Sequence, residues 1–211
     1  MPAPVLGYLH LMSYPIPVIV GMKKLSALSK PMRVLTGLCI LTCVNIAAQF
    51  VLSLFKVTNY FLGEYYTPIE VCLLCAVFYF SVASKGVQLV LTILGGFFIM
   101  IWVGNMIWFY DSRHIDSGMA VISRVFLIAI SLITLQVTMK DERSRLVERS
   151  VFWVVLGVVL YSCGTLLVVG LSNELIKLGE TYFIIAWHVN WSLLVITNLL
   201  YTKAILCKSP V

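Results

Sequence analysis

Long apolar runs separated by short polar intervals dominate the chain. A helix rises about 1.5 Å per residue and a bilayer's hydrocarbon core is about 30 Å thick, so a spanning helix needs roughly 20 apolar residues. Seven segments meet that requirement: residues 4–21, 34–55, 68–84, 87–110, 119–139, 151–171 and 182–206. None shows the alternation of lumen-facing and lipid-facing positions that a β-barrel strand needs. The pattern predicts an all-α, polytopic membrane protein, a single seven-helix transmembrane domain covering residues 1–211.

Composition strengthens that prediction. Hydrophobic residues make up 61% of the chain and charged residues 11%, too few to coat a water-soluble domain. The helices use up the sequence, so a soluble domain would have to come from a partner. The N-terminal Met1-Pro2-Ala3-Pro4 has no positive n-region, and no cleaved signal peptide is expected.

The net charge of +6 is a topological signal rather than a nucleic-acid footprint. Lys23, Lys24, Lys30, Arg33, Lys85, Lys140, Arg143, Arg145, Arg149, Lys203 and Lys208 all fall on one side of the predicted helices. The other side holds only Lys56, Arg113 and Lys177, while Arg124 lies within the fifth helix. The positive-inside rule makes the first side cytoplasmic. Seven helices then put the N-terminus outside and the C-terminus in the cytoplasm. Tyr60, Tyr65, Tyr66, Trp108, Tyr110 and Tyr182 cluster near the outer helix ends, as expected of an interfacial aromatic belt.

Costly polar residues inside the apolar segments mark candidate chemistry. His10, Gln49, Glu70, Asn105, Arg124 and His188 lie one to two turns from the outer ends of six different helices. Together with Trp187, they are the candidate ligand-binding residues, with Trp102 and Trp191 as further walls. One arrangement is an outward-facing pocket for a small polar or anionic ligand. The other is an internal network in which Arg124 pairs with Glu70 and the amides bond between helices; a single cavity can serve both. The inner half is drier, with Asn45, Gln136 and Asn198 as its polar candidates.

Other chemistries find less support. His10, His188, His114 and Glu70 are chemically suited to zinc, but the helical i, i+4 histidine pair that a metal-dependent hydrolase could use is absent. Cys72-x-x-Cys75 has redox spacing without a second outer pair, and Cys39, Cys43 and Cys163 suit packing. Lys203 is too near the cytoplasmic end for a retinal Schiff base. No P-loop, dinucleotide fingerprint or nucleophile elbow occurs, so neither an enzyme nor a cofactor is expected.

Leu62-Gly63-Glu64-Tyr65-Tyr66 before the third helix echoes Leu178-Gly179-Glu180-Thr181-Tyr182 before the seventh. The offset suggests a parallel three-plus-one-plus-three duplication, resembling the SWEET type of small sugar transporter. Prolines in the first helix, Pro15 and Pro17, have no counterpart in the fifth.

Phe152-Trp153, Gly157, Tyr161-Ser162, Gly164, Leu171-Ser172-Asn173, Trp187-His188 and Asn198 carry a further likeness. This C-terminal third resembles small bacterial seven-helix proteins, the membrane sensor modules of histidine kinases. The resemblance implies a sensor or receptor-like module in a bacterial plasma membrane. It would signal through a separate cytoplasmic histidine kinase or other signalling protein, with homo-oligomerisation open. The alternative is a SWEET-like transporter of a small polar or anionic solute.

Overall fold

A computed structural model of the chain describes residues 5–57, 59–108, 117–140, 145–171, 175, 177 and 179–207. Pro4, Tyr110, Arg113, His114, Arg143, Ser172, Asn173, Leu178 and Lys208 lie outside the described residues, as do the side chains of Tyr60 and Glu180. All regular structure among the described residues is helical. Seven helices are long and apolar enough to cross a membrane, which makes the chain an integral membrane protein.

The first span consists of α1 (Val5–Ser13) and α2 (Pro15–Lys23). The break at Tyr14 follows from Pro15 and Pro17, which have no N–H to continue the ladder. The remaining spans are α3 (Lys30–Leu54), α4 (Tyr60–Ser81), α5 (Lys85–Trp108), α6 (Ser117–Met139), α7 (Ser150–Gly170) and α8 (Glu180–Leu206). The largest departure from expectation is α4, which begins eight residues before Pro68. Proline there reads as a helix start, yet it sits inside the helix, where it removes one backbone hydrogen bond. Gly63, Glu64 and Tyr66 are therefore helical rather than in a loop.

The spans form a ring. The first packs on α3, α3 on α4, α4 on α6, α6 on α7, α7 on α8, and α8 closes against α1 and α2. Helix α5 packs on α4 and α6. Its exposed Val90, Ile93, Phe97, Met100, Val103 and Ile107 form a surface suited to lipid tails.

Apolar burial alone does not hold membrane helices together, because lipid tails are as apolar as leucine; close packing and interhelical hydrogen bonds do. Gly157 and Gly164, one heptad apart on α7, let α8 approach: a Cβ on Gly157 would lie 2.9 Å from the Tyr201 ring, and one on Gly164 would overlap Leu193. Thr197 donates to the Gly157 carbonyl at 3.3 Å and Thr165 to Asn190 Oδ1 at 3.2 Å. Asn198 Nδ2 donates to Ser13 Oγ at 2.7 Å, tying α8 to α1.

Two bundle ends differ in character. Leu35, Val77, Phe78, Leu91, Ile130, Val154, Ala204 and Ile205 are fully or almost fully buried near the end that carries the basic loops. Several of those basic residues serve the fold itself. Arg149 Nη1 donates at 2.6 Å to the Thr138 carbonyl, in the last turn of α6, where a cation also complements the helix dipole. Arg33 holds the Leu28 and Ser26 carbonyls at 2.9 and 3.1 Å. Of the drier half's polar candidates, Gln136 is exposed and Asn198 is bound to Ser13.

Candidate ligand cavity

At the opposite end the ring does not close. A cavity of about 420 Å³ lies between α3, α4, α5, α6 and α8, with Tyr14 and Tyr161 reaching into it from the first span and α7. Its polar wall combines Thr42, Asn45 and Gln49 of α3 with Glu64, Thr67 and Glu70 of α4, Asn105 of α5 and Arg124 of α6. Leu38 and Tyr201 line it and also belong to the apolar core, so they form its floor. Gln49 and Leu38 are eleven residues apart, about 16 Å of helix axis. The cavity therefore extends well below the one-to-two-turn layer expected from sequence.

Arg124 and Glu70 are the electrostatic centre. Arg124 Nη2 donates to Glu70 Oε2 at 2.9 Å, and each side chain is only 9% exposed. The guanidinium carbon sits 4.5 Å above the Tyr161 ring, a cation–π contact on its flat face. Among the described residues, Nε and Nη1 have no hydrogen-bond partner. Both atoms are also shielded from solvent, and leaving a buried donor unsatisfied costs about 1–3 kcal/mol. Tyr66 touches the hydroxyl of Thr42, which joins α4 to α3 beside the pair. Asn59 Nδ2 donates to the Gln49 carbonyl at 3.0 Å, fixing the loop above α3 to the last turns of that helix.

Five of the seven sequence-predicted residues, Gln49, Glu70, Asn105, Arg124 and Trp187, line this cavity. His10 and His188 do not. His10 is buried against α8, with Nε2 2.8 Å from the Tyr14 hydroxyl and its ring stacked on Trp191 at 5.9 Å. His188 lies in a shallow cleft with Phe183, Ile184, Trp187 and Trp191. Both histidines have the expected depth along their helices but sit at a different rotation. Trp102 lines the cavity as expected, whereas Trp191 packs under His10.

Several wall residues are not among the sequence candidates. Tyr66 belongs to the cavity rather than to an interfacial belt; Tyr65, Trp108 and Tyr182 are exposed as a belt requires. With Pro68 as the predicted helix start, Glu64 falls in a loop, whereas it is helical in α4. Thr67 follows it at i+3, and Glu70 lies six residues on, spacings that put polar groups on one side of α4. That periodicity was the available signal.

Among the described residues, no three His, Cys, Asp or Glu side chains form a group able to hold a metal ion. All six cysteines are free thiols; within the Cys72-x-x-Cys75 pair, Cys72 is exposed and Cys75 buried. No protein-family profile, curated protein or solved structure matches the chain.

Proposed function

We propose that the protein is a seven-helix receptor or sensor for a small polar ligand, which it binds in this cavity from outside the cell. The supporting observation is the contrast between the two bundle ends: a polar cavity open at one, a packed apolar core at the other. A volume near 420 Å³ suits a small molecule held by a few convergent polar groups. The positive-inside bias orients the cavity outward, with the N-terminus outside and the C-terminus in the cytoplasm. The likeness to kinase-linked sensor modules points to a bacterial plasma membrane and a separate cytoplasmic signalling partner. Lys23, Lys24, Lys30 and Lys140 remain exposed for such a partner or for lipid phosphates, whereas Arg149 is taken up by α6.

The cavity's depth supports one second reading, a transporter of a small polar solute. Only the apolar layer beyond Leu38 and Tyr201 separates the floor from the basic end. Reconstituted vesicles distinguish the two. A receptor binds a solute that stabilises the purified protein without moving it across the bilayer. Saturable uptake of that solute would replace the receptor with the transporter.

A further inference from the structure

Lys23, Lys24, Lys30 and Arg33 stand within eleven residues of one another, at the turn that joins α2 to α3. No acidic residue precedes Glu64 in the sequence, so the surrounding chain does not offset these four charges. We propose that this turn binds one anionic phospholipid, its phosphate held by Lys23, Lys30 and Arg33 and its acyl chains running along the bundle beside Met22 and Leu25. The proposal is independent of the cavity and of what the cavity binds.

The turn lies between two consecutive spans, Val5–Lys23 and Lys30–Leu54, which sets it at the depth of lipid headgroups. Arg33 closes it, with Nε donating to the Leu28 carbonyl at 2.9 Å and Nη2 to the Ser26 carbonyl at 3.1 Å. These bonds fix the guanidinium at an open cleft lined by Met22, Lys23, Leu25, Ser26 and Arg33. Lys30 precedes Arg33 by three residues on α3, a spacing that brings both cations to one side of the helix. All four basic side chains are exposed, and among the described residues no carboxylate pairs with any of them. Met22 and Leu25 are 53% and 40% exposed, so apolar surface adjoins the charges. A phosphate carrying acyl chains uses both features. Free phosphate or an acidic peptide uses the charges and leaves the apolar surface in water.

A topological signal requires positive charge but neither a cleft nor a guanidinium pinned beside it. The other basic segment shows the contrast. Residues 140–149 carry four cations interleaved with Asp141, Glu142 and Glu148, a surplus of one. Arg149 of that segment is bound to the Thr138 carbonyl. At the α2–α3 turn the surplus is four. Each cation close to anionic lipid strengthens association by about fivefold, so the lipid phosphate is drawn to this turn in preference to the other segment.

The test uses the full chain purified in detergent, with native mass spectrometry of phosphatidylglycerol and phosphatidylcholine that share the same acyl chains. The first phosphatidylglycerol is expected to bind about tenfold or more tightly than phosphatidylcholine, whose choline compensates its phosphate. Lys23→Gln with Lys30→Gln should weaken phosphatidylglycerol by about tenfold or more and leave phosphatidylcholine unchanged. Lys23→Arg with Lys30→Arg keeps the charge and should keep the preference. Lys140→Gln with Arg145→Gln should change it by less than about twofold. Equal binding of the two lipids overturns the site and leaves the turn to an acidic protein segment. An equal loss in the Lys140 and Arg145 variant overturns it in favour of diffuse attraction to the whole basic end. Loss in the arginine variant overturns charge as the cause. Glycerophosphoglycerol, the same headgroup without tails, should bind about tenfold or more weakly than the lipid; equal binding would make the turn a site for soluble phosphates instead.

Discussion

Arg124 and Glu70 bring opposite charges to 2.9 Å inside the bundle. Removing one member strands the other, a loss of about 3–5 kcal/mol for a buried pair. Glu70→Ala is therefore expected to lower the unfolding free energy by roughly that amount, while Glu70→Leu with Arg124→Met recovers most of it. A double-mutant cycle by thermal or denaturant unfolding in detergent checks this; a double-variant loss equal to the sum of the two single losses would show that the pair is not coupled. The histidines separate by the same logic of placement. His188→Ala leaves the cavity wall intact and should change ligand affinity by less than about twofold, against at least tenfold for Arg124→Ala, a contrast of about 1 kcal/mol. Isothermal titration measures both, and equal losses would place His188 in the site. The pair was legible from sequence because charges at matched depth must find each other. That the histidines lie off the cavity wall is not legible, because depth along a helix can be counted from sequence, whereas rotation about its axis depends on neighbours.

At the level of the elements, α7 and α8 meet through glycines. Gly157→Leu drives a side chain into the Tyr201 ring, which is also the floor of the cavity. Overpacking of this kind costs about 1–3 kcal/mol, and Tyr201→Ala in the same chain should return part of it. Melting temperatures of the two variants test the contact; an unshifted Gly157→Leu would mean that α7 and α8 are not in close contact there. At the basic end, Arg149→Met strands the Thr138 carbonyl and should cost about 1–3 kcal/mol, the range for a buried polar group left unsatisfied. Chemical unfolding of that variant gives the number, and no loss would return Arg149 to the pool of docking residues. Helix existence was legible throughout, since twenty apolar residues have few other uses. The start of α4 was not, because Pro68 and the polar Glu64 mimic a helix boundary when the cavity that solvates them is unknown.

Across the whole molecule, the asymmetry between ends carries the functional argument. The sequence placed its costly polar residues toward one face and its basic loops toward the other. The structure adds that the polar face is hollow and that the basic face is packed around Phe78, Ile130, Val154 and Ile205. It also deepens the cavity to Leu38 and Tyr201, which no count of polar residues could reveal, because the floor is apolar. The ring order of helices could not be read either, since each span has apolar residues on most of its faces and lipid accepts any of them.

Sided thiol labelling tests the central claim most directly. Asn105→Cys and Thr67→Cys, each in a chain freed of its six native cysteines, place one thiol on the cavity wall. A membrane-impermeant maleimide should react with both in intact cells or right-side-out vesicles and with neither in inside-out vesicles, while Val154→Cys in the packed half stays unlabelled from both sides. Labelling of the cavity thiols from the inside-out face would contradict a cavity that opens only to the exterior.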